Sequence, residues 1–234
     1  MVPSIHLQIP ADLSSVTIMN IRIDEPVTTL TDIIIAAVCF YGFFRLIRIS
    51  GKQILHLYLR YFFLFLGIGT FLGGVIGHGF LYLFSPGWRL PGWFASMVSI
   101  AIIQHASILI AGKFLSRLII RVLTWQNIFA LTFFMVLTGI TQNFMLTVLY
   151  ITYGLLIVVG SIQMILYIKS RSKGSLWFLV AVGTGLASGL VYVSKWSLSD
   201  WFNNMDLSHI LLIIAVYFFY LGGRHFILSA ISEG

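Results

Sequence analysis

Seven apolar stretches follow one another along the chain, and they constrain its fold more than any other feature. A helix of about 20 predominantly apolar residues crosses the hydrocarbon layer of a bilayer, and each stretch comes near that length. Only short polar segments lie between them. The sequence therefore predicts an all-α membrane protein, a bundle of seven transmembrane helices, with spans at 30–49, 61–84, 91–112, 119–138, 144–168, 175–194 and 207–221.

The composition agrees with that of a protein embedded in a lipid bilayer. Hydrophobic residues make up 59% of the sequence, charged residues 9%, and the mean hydropathy is +0.99. Such a chain has too little polar surface to stay soluble in water. Because no long polar insert separates the spans, we expect one transmembrane domain over 29–234 and no separate soluble module. The residues before it, 1–28, are expected to form an extracytoplasmic N-terminal leader.

The basic residues fall in alternate gaps between the spans, and this distribution predicts the orientation. Cytoplasmic loops carry an excess of Lys and Arg, so the more basic side faces the cytoplasm. We therefore expect the N-terminus outside and the C-terminus inside, in the plasma (cytoplasmic) membrane. The inner side holds Arg45, Arg48, Lys52, Arg60, Lys113, Arg117, Arg121, Lys169, Arg171, Lys173 and Arg224, and the outer side holds Arg22, Arg89 and Lys195.

The net charge of +7 is a consequence of this topology. Basic loops are attracted to anionic headgroups, so membrane lipids are the expected partners. The bases are divided among loops and form no continuous stripe with interleaved aromatic residues, so nucleic acid is not an expected partner.

The leader has no basic segment and no sustained apolar core, so we do not expect it to be a signal peptide. Apolar and polar residues alternate at 16–18 and 21–23. This alternation fits a short extended piece over the outer mouth of the bundle, and a loosely ordered leader is the alternative. Thr29 and Asp32 stand at capping-box spacing and predict the start of the first helix.

Small residues recur every four positions in two spans. Gly69, Gly73 and Gly77 form one such stripe in the second span, and Ala181, Gly185 and Gly189 form another in the sixth. In lipid, helices associate without a hydrophobic driving force, and small residues let their backbones pack closely. We interpret both stripes as packing surfaces, and space for a ligand tail is the alternative.

Ionisable residues inside a membrane are costly, so the few that occur are candidates for function. His78 ends the glycine stripe of the second span, and Asp206 and His209 begin the seventh. Since these spans run in opposite directions, all three reach the same outer layer. A carboxylate beside an imidazole orients it as a metal ligand or a general base. Alternatively, Asp206 caps the last helix and the histidines bond to headgroups or water.

At these same residues the chain resembles the CREST superfamily, membrane hydrolases that include alkaline ceramidases and adiponectin-receptor relatives. The segments GGVIGHGF at 73–80 and WFNNMDLSH at 201–209 are also similar to an uncharacterised family of bacterial seven-helix proteins. The CREST resemblance implies hydrolysis of a lipid amide or ester, with zinc held by one His of the second helix and two of the seventh. His78 and His209 match two of these ligands.

The chain departs from the CREST pattern at two positions. Met205 stands where the first His of the seventh span is expected, and Gly74 stands where a Ser is expected. Catalytic zinc takes three protein ligands and an open water position. The third ligand would then be Asp206, or His105 if the third helix is broken; His105 is otherwise expected to form an interhelical hydrogen bond. A descendant of the fold without metal is the alternative.

Two functions of different classes follow. The first is a CREST-like lipid amide or ester hydrolase in which His78, Asp206 and His209 hold zinc or activate water. The second is a non-enzymatic receptor or assembly subunit that binds lipid, partner helices or further copies of itself.

Overall fold

The computed structural model describes residues 14–49, 53–199 and 201–232. Within them lie seven helices that are long and apolar enough to cross a membrane, as the sequence predicts for a multi-pass protein. Lys52 of the predicted inner loops lies outside the described residues. The helices are α1 Pro26–Ile47, α2 Ile54–Gly79, α3 Pro86–Lys113, α4 Arg117–Thr141, α5 Phe144–Ser170, α6 Lys173–Ser194 and α7 Asn204–Ser232.

A β-hairpin precedes the first helix. Strands β1 Ser15–Ile18 and β2 Ile21–Asp24 pair antiparallel, with Ser15 opposite Asp24. The two turn residues, Met19 and Asn20, have φ of 50° and 64°, and left-handed conformations at both positions suit a two-residue hairpin turn. The extended piece predicted from the alternation is confirmed. The earlier part of the leader, 1–13, lies outside the described residues.

Helix α1 begins before the predicted start. Pro26 stands in its first turn, where the missing amide proton costs nothing and the fixed φ suits a helix. Thr29 and Asp32 consequently lie inside the helix, and the Thr29 hydroxyl donates to the Asp24 carbonyl at 3.2 Å. The predicted capping box at Thr29 and Asp32 was therefore wrong, because the proline starts the helix earlier.

The glycine stripe of α2 packs closely at some positions and not at others. A Cβ added at Gly69 would lie 3.0 Å from the Gly92 carbonyl on α3, and one at Gly74 would lie 2.8 Å from the Asp32 Cβ on α1. Among the described residues, a Cβ at Gly77, Gly185 or Gly189 would meet nothing within 4 Å. Close packing is thus confirmed at Gly69 of the α2 stripe and at its neighbour Gly74, and inside the described bundle it is wrong for Gly77, Gly185 and Gly189.

Polar side chains also join helices inside the bundle. The Asn127 amide on α4 donates to the Ala101 carbonyl on α3 at 2.9 Å, and Gln163 on α5 donates to Ser107 at 3.1 Å. Such bonds hold helices together where water does not compete. Helix α4 is the least buried of the seven.

Alternating helix directions bring the start of α1, the end of α2 and the start of α7 to one end of the bundle, which we call the polar end. The last turns of α2, Gly73–Gly79, are π-helical. A π-helix carries an extra residue per hydrogen-bonded turn and changes the direction of the side chains that follow. This segment carries His78 and packs against α1.

Candidate functional site

Asp206 is held by the start of α7 and by α1. Its Oδ2 accepts a 2.8 Å hydrogen bond from the backbone N–H of Asn203. In return, the side-chain Oδ1 of Asn203 accepts a 3.3 Å hydrogen bond from the backbone N–H of Asp206. This reciprocal pair is a capping box. The other oxygen, Oδ1, accepts a 2.6 Å bond from the Thr28 hydroxyl, and the carboxylate is fully buried. Asp206 therefore starts α7 and ties it to α1.

His78 faces two carboxylates of α1. Its Nδ1 lies 2.8 Å from Glu25 Oε2, a hydrogen-bonding distance, and its Nε2 lies 3.9 Å from Asp32 Oδ2. The side chain retains 20% exposure. One nitrogen is thus bonded to an acid, and the other faces a second acid across a gap longer than a hydrogen bond.

His209 reaches the same carboxylate from α7. Its Nδ1 lies 2.9 Å from Thr31 Oγ1 and 3.6 Å from Asp32 Oδ1. The Thr31 hydroxyl donates its single hydrogen to the Thr28 carbonyl at 2.9 Å, so it accepts from the imidazole. The hydrogen-bond network therefore assigns the proton to Nδ1 of His209 and leaves Nε2 with a free lone pair.

The two imidazoles and the two carboxylates form one group, which we call the histidine–carboxylate cluster: Glu25, Asp32, His78 and His209. The ring centroids of the histidines are 6.4 Å apart, with the planes at 76°. The Asp32 side chain, 8% exposed, lies between them. Charges in such a partly desolvated place interact more strongly than they would in water.

The structure brings together only part of the site predicted from the sequence. His78 and His209 share the cluster, but no hydrogen bond or ion pair joins Asp206 to either of them among the described residues. His105 lies in the unbroken α3 with its ring 4.7 Å from that of Tyr58, far along the bundle from the polar end.

Sequence reasoning missed the carboxylates that face the histidines, Glu25 and Asp32. A signal for them exists in the sequence. Glu25, Thr28 and Asp32 recur at i, i+3 and i+7, the spacing of one helix face, and two of the three are acids at the start of a strongly apolar span. Extending α1 back to Pro26 places this face toward α2 and α7.

A zinc ion would need three protein ligands around one point. Both Asp206 side-chain oxygens already accept hydrogen bonds, from Thr28 and Asn203. Nδ1 of each histidine is hydrogen-bonded, so only Nε2 of each could bind a metal, and the two histidines supply at most two ligands. Over 14–49, 53–199 and 201–232, no group of three His, Cys, Asp or Glu side chains is placed to hold a metal ion. The predicted ligands His78, Asp206 and His209 do not fit zinc in this arrangement, and zinc binding stays a prediction of the resemblance.

Comparison with known proteins places the chain in a family without assigning an activity. No curated protein matches it. The model of a family of unknown function, DUF6962, matches residues 27–227, which span all of α2 to α6 and most of α1 and α7. The histidine–carboxylate cluster falls within this match except for Glu25. The chain belongs to the DUF6962 family.

Proposed function

We propose that the chain is a membrane hydrolase that cleaves an amide or ester bond of a lipid at the histidine–carboxylate cluster. The observation that carries the proposal is the position of Asp32 between two imidazoles, His78 on one side and His209 on the other. Acid–imidazole pairs of this kind activate water by removing a proton as it attacks.

The 3.9 Å between His78 Nε2 and Asp32 Oδ2 suits a water molecule that is hydrogen-bonded to one or both groups. His78 Nε2 accepts a proton from this water, and the oxygen attacks the carbonyl carbon of the substrate. The C–N or C–O bond then breaks, and the imidazolium returns the proton to the leaving amine or alcohol. Water and the lipid are the only reactants in these steps, and the proton taken by His78 leaves with the amine or alcohol.

The expected orientation places the cluster in the outer leaflet. Most bases lie at the other end of the bundle, which supports an outer polar end and a plasma-membrane location. The amide and ester bonds of lipids lie at the boundary between acyl chains and headgroups. A cluster at a helix end is at that depth, so the substrate can reach it from within the bilayer.

The test is hydrolysis by the purified full chain of two lipids with a fluorescent acyl chain, one an acyl amide and one an acyl ester. We expect His78→Ala to lower kcat by about 10²–10⁴-fold, the usual contribution of a general base. His225→Ala is the matched control, because His225 lies 16 residues beyond His209 on α7, about 24 Å along the helix. Absence of hydrolysis by the unsubstituted protein, or equal rates for both variants, would contradict the proposal.

A second candidate function, assembly with another copy of the chain, is favoured by the surface of α6. Gly185 and Gly189, four residues apart on one face of this helix, have no described residue within 4 Å of the position of a Cβ. Such an open row of glycines allows a helix from outside the bundle to approach closely. In this function the chain would be a non-enzymatic receptor or assembly subunit.

This candidate predicts that Gly185→Leu reduces the oligomeric mass of the detergent-solubilised protein while the melting temperature of the monomer stays unchanged. Gly77→Leu is a suitable comparison, since a Cβ at Gly77 also meets nothing. An oligomeric mass that is the same in both variants and in the parent would remove the α6 surface as an interface.

A further inference from the structure

We infer that Glu25 is a positioning residue for His78, fixing its tautomer and ring orientation so that Nε2 faces Asp32. This inference rests on the proposed function and names a residue that neither the resemblance nor the predicted ligand set includes. It is carried by the 2.8 Å contact between Glu25 Oε2 and His78 Nδ1, together with the way the backbone holds Glu25.

Glu25 occupies the position of a helix cap but does not cap the helix. It directly precedes α1, where a side-chain oxygen normally accepts a bond from an amide of the first turn. No such bond is formed by Glu25. Its carboxylate turns instead toward the end of α2, 53 residues away in sequence, and meets His78.

The backbone at Glu25 is held on both sides. Its φ of 40° and ψ of 58° are left-handed, an uncommon conformation for a residue with a side chain. The Glu25 amide donates to the Ser14 carbonyl at 2.9 Å, and the Glu25 carbonyl accepts from the Thr29 amide at 2.9 Å. The hairpin and the first turn of α1 thus fix the backbone from which the Glu25 side chain extends.

A carboxylate that accepts from Nδ1–H leaves Nε2 of the imidazole unprotonated, and it also stabilises the imidazolium that forms when Nε2 takes a proton. The groups that face His78 are Glu25 at Nδ1, Asp32 at 3.9 Å from Nε2, and the ring of His209 at 6.4 Å. Without Glu25, the His78 proton would be drawn to Nε2, because Asp32 is the carboxylate facing that nitrogen.

The first experiment is ¹⁵N NMR of the full chain with labelled histidine, at a pH where the imidazoles are neutral, with the His78 signal identified by its loss in His78→Asn. We expect Nδ1–H to be the main tautomer in the parent and Nε2–H in Glu25→Ala. Glu233→Ala is the control, since Glu233 is the other glutamate of the chain and follows α7. A parent with Nε2–H, or no change in Glu25→Ala, would overturn the inference.

Hydrolysis gives a second readout that a purely structural role would not move. Glu25→Ala should lower kcat at least tenfold with KM unchanged within about twofold, and Glu25→Gln, which keeps an acceptor without the charge, should recover part of kcat. A rise in KM alone, or a loss explained by a lower melting temperature, would overturn the positioning role. If the parent hydrolyses neither lipid, the proposed function fails, and the NMR result still decides whether Glu25 positions His78.

Discussion

The Thr28 hydroxyl donates a 2.6 Å hydrogen bond to the Asp206 carboxylate and so joins residues 178 positions apart. Both partners are buried, with 1% and 0% exposure. The bond fixes the first turn of α7 against α1, and this contact sets the distance at which His209 meets Asp32. Asp206, predicted from the sequence as a metal ligand, thus lies outside the histidine–carboxylate cluster and fixes the helix that carries His209.

Removing this bond should destabilise the protein. Thr28→Val keeps the shape of the side chain but leaves a buried carboxylate oxygen unpaired, which costs about 1–3 kcal/mol. The melting temperature in detergent should fall by roughly 2–4 °C for each kcal/mol lost in a chain of this size. Thr184→Val is the control, because the Thr184 hydroxyl donates to the Val180 carbonyl of its own helix. Equal melting temperatures for the two variants would contradict this role.

The two neighbouring glycines Gly74 and Gly77 should respond differently to the same substitution. In Gly74→Ala the new Cβ would meet the Asp32 Cβ at 2.8 Å and the Thr29 carbonyl at 3.2 Å, so α1 and α2 must separate. Overpacking of this kind costs about 1–3 kcal/mol. Gly77→Ala meets nothing and should be neutral or slightly stabilising. Thermal melting of both variants tests the pair, and a loss confined to Gly77→Ala would contradict the packing described.

The orientation can be tested by labelling in whole cells. From the distribution of bases, a tag at Met1 should react with an impermeant reagent, and a tag at Gly234 only after permeabilisation. The reverse pattern would place the cluster in the inner leaflet and require a substrate from the cytoplasmic side.

Metal removal should leave hydrolysis unchanged, because the proposed steps use only His78 as the base and Glu25 as the acid that orients it. The rate with a strong chelator should match the untreated rate, and the purified protein should contain far less than one zinc ion per chain. Activity that is lost with the chelator and restored by zinc would instead support the ligand set implied by the CREST resemblance.

The sequence predicts the number of helices and the meeting of His78 with His209, since both follow from hydrophobic length and helix direction. It does not predict which face of α1 turns toward them. That face depends on the start of the helix, and placing the start near Thr29 rather than at Pro26 removed Glu25 from the helix end. The sequence also does not predict that Gly185 has free space around it. Small residues repeat in the same sequence pattern whether they pack inside the bundle or lie on its surface.

The most direct test of the account is the rate of lipid hydrolysis by Asp32→Asn. This substitution keeps the size of the side chain and removes the charge that lies between His78 and His209. We expect a fall in kcat of about 10²-fold or more with the fold retained, because the neutral amide holds the attacking water less well than the carboxylate, and general-base catalysis by His78, worth about 10²–10⁴-fold, depends on that water. Hydrolysis by Asp32→Asn at the rate of the parent protein would contradict the account.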